Sequence, residues 1–271
     1  MPELPEVETT RRGLLPLVVG RTVSRVLVRV PRLRWPIPAD LSALLVGRTI
    51  VAIERRAKYL LLQCDTGAII VHLGMSGHLR LVVAGSRPEK HDHIDLEFTE
   101  GNCLRLHDPR RFGAFLWTAA DPLHHPLLCN LGPEPLAGGM DGDYLHRRSR
   151  GRRGAVKPFI MDQGVVVGVG NIYASEALFR AGIHPAREAG KIGPKRYRRL
   201  ARAIEEVLEE AIAAGGTTLR DFAHADGKPG YFALQLQVYG RGASPCPVCE
   251  QPVGVMRLGG RSTFFCGRCQ K

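Results

Sequence analysis

KYLLLQCDTGAIIVHLGM, residues 58–75, is the stretch whose reading decides the fold. Two apolar runs flank Asp65-Thr66-Gly67, and each has the length of a strand bounded by turn residues. The stretch therefore predicts two antiparallel strands about a tight turn. HIDLEFTEGNCLRLHD, residues 93–108, predicts two more about Glu100-Gly101-Asn102. Upstream, TVSRVLVRV at 22–30 alternates Val23, Arg25, Leu27 and Arg29 against Ser24, Val26, Val28 and Val30. Several strands with short turns predict an antiparallel sandwich or barrel over roughly residues 1–130. Ahead of them, MPELPEVETTRRGLLP starts as helices do, with proline in the first turn and Glu6 and Glu8 near the positive end of the dipole. That helix is expected to end between Pro16 and Gly20.

From about residue 135 the strand signals fade. LGPEPLAGGMDGDYLHRRSRGRRGAVK, residues 131–157, combines Gly and Pro with a basic cluster and reads as a linker into a second domain. YRRLARAIEEVLEEAIAAGG then places Leu200, Ile204, Val207, Leu208, Ala211 and Ile212 on one helical face and closes on Gly215-Gly216. A chain of 271 residues with 44% apolar composition has room for two domains, or two plus a small module. Lys plus Arg number 38 against 26 for Asp plus Glu, a formal +12, which favours a polyanionic partner. No apolar run reaches the length of about 18 residues that a membrane span needs, and the acidic start is unlike a signal peptide. The expectation is a soluble protein that is not exported.

Four of the seven cysteines carry the strongest local signal. Cys246 and Cys249 form one Cys-x-x-Cys pair, and Cys266 and Cys269 form another sixteen residues on. Four thiolates suit tetrahedral zinc better than iron, and a site filled by four protein ligands is structural. The intervening VGVMRLGGRSTFF predicts a hairpin turning at Gly259-Gly260, with Arg261 just past the turn, either against a phosphate or simply solvated. Gly168-Val169-Gly170-Asn171 precedes a helical run and offers backbone N–H groups to an anion, although packing alone also explains such glycines. HLGMSG presents Met75 and HDPRRFGAF presents Arg110, Arg111 and Phe112, a set that could fill the space left by an extruded base or could lie in the core. Lys58 reads as a solvated lysine. Pro2, once Met1 is trimmed, carries a secondary amine able to attack an electrophilic carbon, with Glu3 beside it to move protons.

From end to end the chain resembles the bacterial formamidopyrimidine-DNA glycosylase family. PELPEVE, RRAKYLLL, HLGMSG, EKHDHIDL, DPRRFG, LGPEPL, VVGVGNIYASE, AGIHP, GGTTLRDF, DGKPGYF, QVYGR and the four-cysteine tail stand in family order. The resemblance implies an α+β architecture: an N-terminal antiparallel β-sandwich with its helix (1–133), a helix-two-turn-helix domain (134–236) and a zinc ribbon (237–271). It implies a bifunctional base-excision enzyme that removes oxidised purines from duplex DNA and cleaves the abasic site by β,δ-elimination. Pro2 is then the nucleophile at C1′, Glu3 the acid at the sugar ring oxygen, Lys58 the group serving β-elimination, and Arg261 the phosphate grip assigned to δ-elimination. Met75, Arg110 and Phe112 match the residues that fill the stack and face the orphaned base. His91, Arg152, Lys157 and Asn171 match DNA contacts, Glu6 a pocket residue, and the segment from Thr217 to Tyr231 the loop over the extruded base. One structural zinc, no catalytic metal, a monomer, and a bacterial cytoplasmic protein held on DNA complete the expectation. Two rivals remain. Members of the endonuclease eight type prefer oxidised pyrimidines and tend to begin PEGPE, where this chain has PELPE; a non-catalytic zinc-ribbon DNA-binding protein would lack a use for Pro2, Glu3 and Lys58.

Overall fold

The computed structural model describes residues 2–216 and 236–271. They form two compact units, residues 2–129 with 215–216 and residues 130–214 with 236–271.

The first unit opens with α1 (Leu4–Val18). Glu3 caps it: its backbone N–H donates to Glu6 Oε2 at 2.8 Å, in a reciprocal capping box. Pro5 sits in the first turn, where no N–H is needed. Leu4, Val7, Leu14 and Val18 are buried along one face. Eight strands follow, β1 (Val23–Val28), β2 (Ile50–Arg56), β3 (Tyr59–Cys64), β4 (Gly67–His72), β5 (His78–Val83), β6 (Asp92–Phe98), β7 (Asn102–His107) and β8 (Ala114–Thr118), with a short helix α2 (Leu41–Leu45). They form two antiparallel sheets, ordered β1-β6-β7-β5 and β2-β3-β4-β8. Side chains from both sheets and from α1 share one core, which includes Val7, Ile53, Leu62, Ile69, Leu96 and Phe115. The expected sandwich is present.

The decisive stretch folds as read: Cys64 pairs with Gly67, so the turn is Asp65-Thr66 and the glycine opens β4. A Cβ at Gly67 would stand 2.5 Å from the Thr118 carbonyl on β8, which explains the glycine. The strict alternation expected for residues 22–30 does not hold. A bulge between Val23 and Arg25 shifts the phase, so that Val23 and Val26 face the core while Val28 is exposed.

The second unit contains α3 (Gly142–Ser149), α4 (Val156–Met161), α5 (Asn171–Arg180), α6 (Pro194–Ala213) and the hairpin β9 (Gly254–Leu258)–β10 (Arg261–Phe265). The stretch expected to be a linker holds α3, whose N-cap Asp141 accepts the Tyr144 N–H at 2.6 Å. It packs on α6 so closely that a Cβ on Gly142 would lie 2.2 Å from Arg198 Cα. Only Leu145 supplies a buried apolar side chain there, so hydrophobic periodicity had no signal to offer. The expected face of α6 is buried at Leu200, Ile204, Val207, Leu208 and Ala211. Among the described residues no helix is long and apolar enough to cross a membrane.

Candidate active site and nucleic-acid interface

Pro2 and Glu3 are buried at the head of α1, and Glu6 stands one turn on. Gly216, at φ +81, lies against Glu6: a Cβ there would meet Glu6 Oε1 at 3.2 Å. Lys58 occupies the two-residue turn between β2 and β3, whose last pair is Arg56 and Tyr59. Its neighbour Ala57 has φ +56, a left-handed conformation that costs a non-glycine residue about 1 kcal/mol. Arg55 Nη1 donates to the Ala57 carbonyl at 3.0 Å while its Nε donates to Glu8 Oε2 at 3.1 Å. The helix that carries Pro2 and Glu3 is thereby tied to the turn that carries Lys58. Burial pushes the Glu8 carboxyl up, but hydrogen bonds and charge from Arg11, Arg12 and Arg55 outweigh it and hold the group at about 2.

His72 closes this corner. It pairs with Tyr59 across the β3–β4 ladder, ring centroids 4.8 Å apart. Burial, then the Lys58 and Arg34 cations, push its pKa down to about 4, so the ring is neutral at pH 7. Nδ1 accepts the Gly74 N–H at 3.0 Å, which leaves Nε2 protonated and free to act as a donor. The sequence reading singled out Met75 in HLGMSG and passed over the histidine that heads the same motif.

Met75 lies half-buried in a turn closed by Gly77 N–H to the Leu73 carbonyl at 2.9 Å. Arg110 and Phe112 project from the β7–β8 connection. Phe112 is 44% exposed rather than a core residue, and the Arg110 guanidinium lies over its ring at 5.1 Å. His91, at φ +81, is half-buried with its ring edge-on to those of His93 and His107. The segment before it is pinned by buried Asp92, which accepts from the Glu89 N–H, Arg80 Nη2 and His107 Nδ1 at 2.7, 2.9 and 2.9 Å.

In the second unit the glycine-rich turn ends on Gly170, the N-cap of α5, so Asn171 is the first helical residue. Its Nδ2 donates to the Ser262 carbonyl at 3.0 Å. Lys157 Nζ donates to Asn171 Oδ1 at 2.7 Å and to Thr263 Oγ1 at 2.9 Å. The first turn of α5 and strand β10 are therefore stitched together, beside exposed Arg261. A helix N-terminus, an amide and a guanidinium at one place suit an anion. Lys157 is itself 1% exposed, its amine turned to Asn171 and to β10. Arg152 is exposed. Sequence reasoning also missed Glu176, buried on α5, which accepts the N–H groups of Gln237, Val238 and Tyr239 at 2.8, 3.0 and 2.8 Å. Thr217 and Tyr231, like Met1, lie outside the described residues.

The hairpin turns at Gly259-Gly260, φ +54 and +75, as a two-residue turn with both central residues left-handed must. At its base the sulfurs of Cys246, Cys249, Cys266 and Cys269 lie within 4.8 Å of one another. Zinc with sulfur at about 2.3 Å spaces tetrahedral ligands about 3.8 Å apart. The Cys246–Cys269 and Cys249–Cys266 separations of 3.9 and 3.4 Å fit that cage. Phe179 of α5 and Val238 and Val253 pack against it. With all four positions taken by protein, the zinc is structural.

Three family models match consecutive parts of the chain. Residues 1–115 match the formamidopyrimidine-DNA glycosylase N-terminal domain, residues 131–223 the formamidopyrimidine-DNA glycosylase H2TH domain, and residues 243–271 a zinc finger found in FPG and IleRS. Formamidopyrimidine-DNA glycosylases of Nitrosococcus oceani and Pseudomonas entomophila are 59% and 60% identical to it, with 100% of each chain covered. Among solved structures, the MutM (FPG) protein of Thermus thermophilus is 41% identical over 99% of this chain and 98% of that one, with a TM-score of 0.90. The Lactococcus lactis Fpg in complex with DNA containing N7-benzyl-Fapy-dG is 34% identical over 100% of both chains, with a TM-score of 0.93. The same protein bound to abasic-site DNA gives 33% identity over 99% of both and a TM-score of 0.92.

Proposed function

The chain belongs to the formamidopyrimidine-DNA glycosylase family, and from that premise we propose how its own residues divide the work. It is a base-excision enzyme for oxidised purines in duplex DNA that also cleaves the abasic site.

The Pro2 nitrogen attacks C1′ of the damaged nucleotide; the N–C1′ bond forms as the bond from C1′ to the base breaks, and the base leaves with a proton. Glu3 gives a proton to the ring oxygen, which opens the sugar and leaves an iminium on Pro2. The iminium acidifies C2′, and Lys58 removes that proton so that the 3′ phosphate is expelled by β-elimination. A second elimination expels the 5′ phosphate, with Arg261 on the phosphate, and the product is a one-nucleotide gap flanked by phosphates. The observation that carries this reading is the Glu8–Arg55–Ala57 chain of hydrogen bonds, which joins the Pro2–Glu3 helix to the Lys58 turn.

Met75, Arg110 and Phe112 fill the vacated stack, with Arg110 against the orphaned base. His91, Arg152 and Asn171 hold the DNA, and Glu6, Thr217 and Tyr231 belong to the base pocket. The working modules are 1–133, 134–236 and 237–271, in a monomer acting on DNA in the bacterial cytoplasm. The excess of cationic over acidic residues, +12, offsets the few kcal/mol of base extrusion through phosphate contacts.

Borohydride trapping on a duplex with 8-oxoguanine opposite cytosine, followed by peptide mass mapping, tests the scheme. An adduct on a peptide beginning at Pro2 is expected. A folded, zinc-loaded protein that binds the duplex yet forms no adduct would leave only a DNA-binding role, and faster action on thymine glycol would move the substrate to oxidised pyrimidines.

A further inference from the structure

Met75 and the Arg110–Phe112 tip belong to different strand connections, yet their backbones are built as one piece. Gly74, at φ +67, lets its turn lie directly on the other: a Cβ there would stand 2.6 Å from both Gly113 N and Phe112 C. Gly113 is in turn held by Asp108, whose Oδ2 accepts the Gly113 N–H at 2.8 Å. The Asp108 carbonyl accepts the Arg111 N–H at 3.2 Å, closing a turn with Asp in first place and Pro109 in second, the arrangement such turns favour. The same carbonyl accepts from His93 Nε2 at 2.9 Å, and the Asp108 N–H donates to the His91 carbonyl at 3.0 Å.

Asp108 is fully buried, and its Oδ1 has no hydrogen-bond partner among the described residues. A carboxylate half satisfied inside the protein costs desolvation that a smaller polar residue would avoid, so stability alone does not account for it. What it does hold is one rigid frame: the His91 backbone, both ends of the Arg110–Phe112 tip and, through Gly113, the turn beneath Met75.

We propose that Asp108 is the positioning residue for opposite-base discrimination, setting the height and angle of Arg110 relative to Met75. This rests on the reading of Arg110 as the contact to the orphaned base.

The test is single-turnover excision of 8-oxoguanine opposite cytosine and opposite adenine by the full zinc-loaded protein. Asp108→Asn keeps an oxygen acceptor for Gly113 and should hold the cytosine-over-adenine rate ratio within about twofold. Asp108→Ala should lower the ratio about tenfold, the low end of what a lost Arg–base contact costs. In an Arg110→Ala background the same change should alter the ratio by less than about twofold, because the two act through one contact. An unchanged ratio in folded Asp108→Ala, or an equal fall with Arg110 present and absent, overturns the proposal while the glycosylase reading stands. If Asp108→Ala does not fold, Gly74→Ala, whose Cβ would press on Gly113 N, is judged by the same two criteria. A wild type that excises 8-oxoguanine from neither duplex removes the functional reading and the proposal together.

Discussion

Replacing Lys157 by Met should weaken DNA binding without changing its salt dependence. The Lys157 amine is 1% exposed and serves Asn171 Oδ1 at 2.7 Å, Thr263 Oγ1 at 2.9 Å and the Ser262 carbonyl at 3.4 Å. Methionine fills the space of the aliphatic stem but leaves those acceptors short of a charged donor, a loss of about 3 kcal/mol in stability. The first turn of α5 then loosens against β10, and Asn171 loses its fixed orientation. Arg261 keeps its place, because the glycine turn and the cysteine cage hold the hairpin independently of Lys157. Loss of one neutral donor on a phosphate is worth about 1.5 kcal/mol, so affinity should fall about tenfold. Each cation that meets a phosphate contributes about 0.9 to the slope of log K against log salt. Anisotropy titrations of an abasic-analogue duplex between about 50 and 200 mM salt should therefore give Lys157→Met the wild-type slope, whereas Arg152→Gln should lose about 0.9. A slope loss in Lys157→Met equal to that in Arg152→Gln would mean that the amine meets a phosphate directly, and the reasoning from burial would be wrong.

Glu8 has a folded pKa of about 2 against an ordinary 4.5, so its stabilisation is complete above about pH 4.5 and is lost as pH falls towards 2. At about 1.4 kcal/mol per unit the ceiling is near 3 kcal/mol, and exposure of its Arg12 partner reduces it to about 2 kcal/mol. Urea unfolding of Glu8→Gln should show that deficit at pH 7 and less than half of it near pH 3; a deficit independent of pH would rule out charge as its source. Removing zinc with a strong chelator should disorder the hairpin that carries Arg261 and abolish duplex binding, with recovery on adding zinc back. Metal-free protein that binds as tightly as the loaded form would show that the cysteine cage is not structural. At Ala57, glycine should leave the melting temperature nearly unchanged, because relief of about 1 kcal/mol of strain is offset by added chain entropy. Ala57→Val, branched at a buried left-handed position, should cost about 2 kcal/mol or more and slow β-elimination more than base release; equal slowing of both steps would separate the turn geometry from the role of Lys58.

What could be read from the chain and what could not divide along sequence distance. The strands around Asp65-Thr66 and the hairpin at Gly259-Gly260 are set by neighbours a few residues apart, and period and turn chemistry reveal them. The bulge in β1 is one extra residue against a partner strand about seventy positions away, invisible in a nine-residue alternation. Helix α3 is held by a cap and by contact with α6, neither of which alters hydrophobic periodicity. Lys157 follows the same rule more severely: the acceptors that bury it lie 105 and 106 residues on, and in its own surroundings it reads as one more cation in a basic stretch. Residues proposed to do chemistry, Pro2, Glu3 and Lys58, stand out by type and motif, because an amine or a carboxylate is chemically distinct wherever it sits. Residues that place other groups, Arg55, Lys157 and Asp108, are chemically ordinary and acquire a role only when the fold brings Glu8 to Arg55, Thr263 to Lys157 and the His91 carbonyl to Asp108. A substitution scan confined to side chains that can themselves do the chemistry would therefore pass over the positions that decide how accurately the reactive groups are placed.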